Sequence, residues 1–68
     1  MLGLHRLNNS LLAMFPGSDG HEAITVPIGT VLDLTAKKFN GDRLMEVLWD
    51  DRKLLMFTED LKNTAIRL

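Results

Sequence analysis

The pattern of apolar and polar residues changes near residue 20. Before that point, four apolar residues recur at spacings of three, four and three: Leu4, Leu7, Leu11 and Met14. This spacing would place them on one face of a short amphipathic helix. However, Asn8, Asn9 and Ser10 interrupt the segment, and these residue types favour caps and turns over helix interiors. We therefore expect an N-terminal arm that is either partly ordered or helical.

A cluster of turn-forming residues follows the arm, from Phe15 to Gly20. Pro16 lacks an amide donor, and Gly17 and Gly20 accept positive φ at little cost. We interpret residues 1–20 as an arm with its linker, and residues 21–68 as the folded domain, which starts near His21.

Short runs of β-branched and apolar residues make up the rest of the chain. Residues 24–26 are all β-branched, and the alternation around Leu32 and Leu34 predicts that both leucines face the core. We predict five strands, at residues 24–28, 30–38, 42–49, 53–57 and 64–68.

Two turn signals order these strands. Asn40-Gly41 is typical of a type I′ hairpin turn, which needs two consecutive residues with positive φ. Residues 50–53 form a second, polar turn. The segment from residue 30 to residue 57 is therefore predicted to be a meander of antiparallel strands.

A single helical turn is predicted before the last strand. Thr58 can act as its N-cap, and Glu59 and Asp60 follow in the first turn, where acidic side chains oppose the helix dipole favourably. Leu61 is predicted to point inward, and Asn63 to end the turn in a left-handed conformation.

The strand at residues 42–49 is apolar on both faces. Met45, Val47 and Trp49 occupy one face, and Leu44 and Leu48 lie on the other, beside one glutamate. This pattern is typical of a central strand that is covered on both sides.

These elements predict an all-β protein, a small five-stranded barrel whose closure removes exposed strand edges. The order of elements resembles the SH3-like small barrels in its meander, its helical turn at residues 58–61 and its short closing strand. The peptide-binding branch of that class carries tyrosine-rich and paired-tryptophan motifs, and this chain has no tyrosine and one tryptophan. The resemblance therefore implies the barrel and does not imply recognition of proline-rich peptides.

Composition narrows the protein class. A 68-residue chain buries only about 60% of the surface that its unfolded form exposes, so it needs good packing or oligomerisation. The chain has no cysteine and only His5 and His21 as histidines, both predicted to be surface residues, so we expect neither a metal nor a cofactor. No apolar run approaches the roughly 18 residues of a membrane span. We expect a cytoplasmic protein that does not bind membranes.

The apolar content, 46% of the chain, exceeds what one small interior needs. A remaining apolar patch in a soluble protein usually marks an interface. We therefore predict a non-enzymatic interaction or assembly module that forms a homo-oligomer, with a further protein partner as an option. The candidate interface residues are Leu44, Leu48, Trp49, Leu55 and Phe57. The arm with Leu4, Leu7, Leu11 and Met14 is an optional part of this contact.

Two alternatives belong to other functional classes. The first is a nucleic-acid-binding barrel that uses the basic residues near the two turns, although a net charge of −1 disfavours binding to phosphate backbones. These residues are Lys37, Lys38, Arg43, Arg52 and Lys53. The second is a minimal enzyme whose site forms only at the symmetry axis of an oligomer. The type II dihydrofolate reductases are barrels of similar size with such a site, but their Val-Gln-Ile-Tyr run has no match here.

Overall fold

The computed structural model describes residues 2–16 and 22–68, which form seven strands and one helix. The strands are β1 (Gly3–Leu7), β2 (Leu11–Met14), β3 (Ala23–Val26), β4 (Val31–Phe39), β5 (Leu44–Trp49), β6 (Arg52–Phe57) and β7 (Ala65–Arg67), and helix α1 (Thr58–Thr64) lies between β6 and β7. All of the strand pairs are antiparallel, and together they make one sheet in the order β3-β2-β6-β5-β4-β1-β7. The prediction of a β-rich protein with one short helix is confirmed.

Residues 2–14 do not form a helical arm, so the helical prediction is wrong. Strand β1 pairs with β4 and β7, and β2 pairs with β3 and β6. Residues 8–10, which were expected to interrupt a helix, connect the two strands. Successive side chains of a strand point to opposite faces, and Leu7 and Ala13 lie on the faces of β1 and β2 that point into the core. Both residues are therefore buried next to exposed neighbours. The predicted linker and the boundary at His21 lie mostly outside the described residues.

The sheet curls strongly, as the connection between β1 and β2 shows. Four strand spacings separate these strands in the sheet, which in a flat sheet would amount to roughly 19 Å. The four residue steps from Leu7 to Leu11 reach at most about 14 Å, so the ends of the sheet must approach each other. Within the part of the chain that the structure describes, the end strands β3 and β7 are not paired, and the sheet is not closed.

Curling encloses one apolar core. Leu32 and Leu34 of β4 are both fully buried, as predicted. Strand β5 lies at the centre of the sheet, between β4 and β6. Helix α1 adds Leu61, which is fully buried as predicted. The other core residues are Leu7, Ala13, Val26, Met45, Val47, Leu54 and Met56.

The two predicted turns differ in length. Asn40 and Gly41 both have positive φ, but Asp42 has it as well, so four residues connect Phe39 to its partner Leu44. The two-residue turn lies instead at residues 50–51, both with positive φ, between the paired residues Trp49 and Arg52. Strand β6 therefore starts at Arg52, inside the segment predicted to be a turn.

Helix α1 begins differently from the prediction. Phe57 is the N-cap, and no side chain caps the helix. Thr58 is instead the first helical residue; its side chain is 5% exposed, and its hydroxyl has no hydrogen-bond partner. Asn63 lies within the helix and does not adopt a left-handed conformation.

The structure tests the predicted surface position of only one of the two histidines. His5 was expected at the surface, but it is 4% exposed, and its Nδ1 lies 3.0 Å from the Gly3 carbonyl oxygen. It is buried because it alternates with exposed residues on β1 and faces Leu32 across the sheet. His21 lies outside the described residues.

Among residues 2–16 and 22–68, no helix has the length and apolar character needed to cross a membrane.

Candidate interaction surface

The side of the central strands that faces away from the core carries four of the five predicted interface residues. Across β5 and β6, Leu44 is paired with Phe57, and Leu48 is paired with Lys53. Leu55 lies between Phe57 and Lys53 on β6. The intervening residues on both strands, such as Met45 and Met56, are buried in the core. We call this surface, over β2, β6, β5 and β4, the outer face.

The apolar part of the outer face extends onto both neighbouring strands. Phe39 of β4 is paired with Leu44, and Met14 of β2 is paired with Leu55. Phe39 and Phe57 are each 38% exposed, while Leu44 and Leu55 are half-buried. A continuous row from Phe39 through Leu44 to Phe57 therefore crosses three strands at one end of the face.

Trp49 lies on the opposite side of the sheet. It shares a face with Met45 and Val47, and it packs against the core as a half-buried side chain. The structure therefore separates Trp49 from the other four predicted interface residues.

A carboxylate occupies the middle of the outer face. Glu46 is half-buried and lies directly opposite Leu55, between Leu44 and Leu48 on its own strand. The Thr35 hydroxyl lies 3.1 Å from its Oε2 atom. The centre of the face is therefore polar, although its surroundings are apolar.

The five basic residues of the nucleic-acid alternative do not form one cluster. Lys38 is paired with Met45 at one end of β5, and Arg52 is paired with Trp49 at the other end. The four residue steps between these positions on β5 amount to roughly 13 Å. Lys37 lies at the first end, with its Nζ 5.9 Å from the centre of the Phe39 ring, within cation–π range. Arg43 precedes β5 at that end, and Lys53 follows Arg52 at the other.

An open pocket of about 370 Å³ adjoins the outer face at Phe57. It lies between the β4–β5 turn and the start of α1, where the Thr58 amide donates a 2.9 Å hydrogen bond to the Arg43 carbonyl. The described residues contain no group of three or more histidine, cysteine or acidic side chains able to hold a metal ion. The pocket is lined by Asp42, Arg43, Phe57, Thr58, Glu59, Asp60 and Lys62.

Comparison with known proteins adds no relative. No protein-family model matches the chain, and neither curated proteins nor solved structures give a match.

Sequence reasoning missed one residue of the outer face and assigned another to the wrong type of element. Phe39 was not included in the interface, and Met14 was offered as a contact residue on a helical arm, whereas it lies on β2. Phe39 belongs to the outer face because it is paired with Leu44. This pairing follows from the sequence only if the turn between the two residues is known to contain four residues. The signal for Met14 is the alternation with buried Ala13, which indicates a strand.

Proposed function

We propose that this protein is a non-enzymatic interaction module that associates with a second copy of itself through the outer face. The observation that carries the proposal is the apolar row Phe39, Leu44 and Phe57, in which each of the two phenylalanines is 38% exposed on adjoining strands. Contiguous apolar side chains on a folded surface typically mark a contact site.

The size of the face supports a second copy as the partner. A stable interface removes about 800 Å² from each partner, which is about a fifth of the 4468 Å² surface of this chain. One face of a curled sheet in a chain of this size can supply about that share of the total surface. A net charge of −1 gives little repulsion between two copies. So small a domain also gains stability from the association itself.

The architecture we propose for the module is an SH3-like small barrel. The curled sheet, the β4–β5–β6 meander and the helix between β6 and the last strand support this assignment. Backbone nuclear Overhauser contacts of the strands at the two ends of the sheet would test it. A barrel requires contacts that close the sheet, and their absence would leave an open, curled sheet.

Sedimentation equilibrium from low micromolar to near-millimolar concentration tests the self-association. We expect a monomer–dimer equilibrium for the native chain and a monomer for Phe57→Glu, because a charge at this position would be buried against apolar side chains. Ile28→Glu is the matched control. Ile28 is 61% exposed in the turn between β3 and β4, away from the outer face, so this variant should dimerise normally. A native chain that stays monomeric throughout would refute the proposal.

A further inference from the structure

Charges of opposite sign lie on opposite sides of the outer face. Asp33 of β4, Leu48 of β5 and Lys53 of β6 are consecutive partners across the sheet. Two strand spacings, roughly 10 Å, separate Asp33 from Lys53. Glu46 lies two positions from Leu48 on β5, so it adds a second acidic group beside Asp33. At the end of the face that carries Asp33 and Lys53, the surface is therefore acidic toward β4 and basic toward β6, with apolar side chains between. At the other end, Lys37 adds a positive charge beside Phe39.

A two-fold symmetry axis can bring the acidic side of one copy against the basic side of a second copy. A two-fold axis that runs parallel to the strands, between β5 and β6, places β5 of each copy over β6 of its partner. Such a contact is isologous, since the same residues meet in both directions. Lys53 of one copy then lies over Leu48 of the partner, next to Asp33 and Glu46.

The same operation matches the apolar residues. Leu44 of one copy meets Phe57 of the other, because the two are paired across β5 and β6. Leu55 likewise covers the position of Glu46. At the Phe57 end the contact is therefore apolar on both sides, and at the Lys53 end it joins opposite charges.

We propose that two copies pack with β5 over β6 and that Lys53 of each copy pairs with Glu46 and Asp33 of the other. This inference rests on the proposed self-association and assigns its orientation. A carboxylate removed from water without a cationic partner costs several kcal/mol, so Glu46 at the centre of the face requires such a partner. Placing β5 over β5 would bring the two Glu46 side chains together, which like-charge repulsion disfavours.

Charge reversal tests the pairing. Lys53→Glu and Glu46→Lys each place like charges against one another in the homodimer, so we expect each variant alone to dimerise at least about tenfold more weakly. An equimolar mixture of the two restores opposite charges at both contacts, so the heterodimer should form with an affinity close to that of the native dimer. Sedimentation equilibrium measures both, and circular dichroism melting verifies that each variant is folded.

Two further variants keep the test decisive. Arg67→Glu makes the same change in net charge as Lys53→Glu, at an exposed position on end strand β7 outside the outer face, and should leave dimerisation unchanged. Asp33→Lys replaces Glu46→Lys if loss of the Thr35 hydrogen bond prevents folding.

The outcomes separate this inference from the proposed function. A native chain that remains monomeric overturns both. A native dimer that is insensitive to Lys53→Glu, or a mixture that fails to regain affinity, overturns the orientation alone and leaves self-association standing.

Discussion

The Thr35 hydroxyl connects the edge of a bulge in β4 to the acidic centre of the outer face. It lies 3.1 Å from the Glu46 carboxylate and 3.2 Å from the Glu46 carbonyl oxygen, with one proton to donate. The same oxygen accepts a 3.3 Å hydrogen bond from the Lys37 amide, which spans Ala36. Thr35 therefore positions Glu46 and also stabilises the irregular backbone where the β4–β5 register shifts.

Thr35→Val should destabilise the fold by about 1–2 kcal/mol, because it removes the donor to a half-buried carboxylate and the acceptor for the Lys37 amide. Urea unfolding measures this change. Thr35→Ser keeps the hydroxyl, so it should reduce the free energy of unfolding by less than Thr35→Val does. Equal losses in the two variants would mean that the methyl group, and not the hydrogen bonds, is responsible.

Ala36→Gly should stabilise the protein. Ala36 has φ 66°, a conformation that costs an L-residue roughly 1–2 kcal/mol and that glycine adopts freely. The greater freedom of glycine in the unfolded chain offsets about 0.4–1 kcal/mol, which leaves a net gain of about 0.5–1 kcal/mol. Lys37→Gly is the control: Lys37 does not have positive φ, so that variant should be destabilised. A loss of stability for Ala36→Gly as well would contradict the strained backbone.

Thr58→Val should also stabilise the protein, by about 1 kcal/mol, since the buried hydroxyl has no partner and valine has nearly the same shape. Thr58→Ser retains the hydroxyl and loses a buried methyl group, so it should be destabilised. Thermal melting of the three proteins gives the order. A Thr58→Val variant that melts below the native chain would contradict this prediction.

Leu7→Ala should destabilise the protein by about 2–5 kcal/mol, because Leu7 is 1% exposed in the core. Leu4 lies on the same strand but is 54% exposed. Leu4→Ala should therefore lower the free energy of unfolding by no more than about 0.5 kcal/mol. Chemical denaturation of both variants measures the difference. A small effect at both positions would mean that β1 contributes little to the folded sheet.

The second half of the chain could be predicted from sequence because its signals are local. Strands β4, β5 and β6 lie within one or two residues of their predicted bounds, and Leu61 points inward as expected. Asn40-Gly41 was correctly identified as a turn with positive φ, but its length depends on Asp42, a third residue in that conformation.

The first two strands could not be predicted, because most of their partners are distant in sequence. Strand β1 obtains its hydrogen bonds from β4 and β7, which no local pattern indicates. Leucines at spacings of three and four fit a helix, and two short strands that break at residues 8–10 give the same spacing. Tertiary pairing decided between these alternatives.

The outer face was predicted in composition but not in extent. Leu44, Leu48, Leu55 and Phe57 follow from strand alternation alone. Trp49 lies on the other side because alternation places it with Met45 and Val47, next to the core.

The pairing of β1 with β7 determines when the sheet can be completed. The Leu68 amide donates a 3.1 Å hydrogen bond to the Leu4 carbonyl, so two segments that are distant in the sequence are neighbours. The β4–β5–β6 meander joins adjacent segments and can form early, whereas β1 has to wait for both β4 and β7. Substitutions in β1 should therefore accelerate unfolding more than they slow folding.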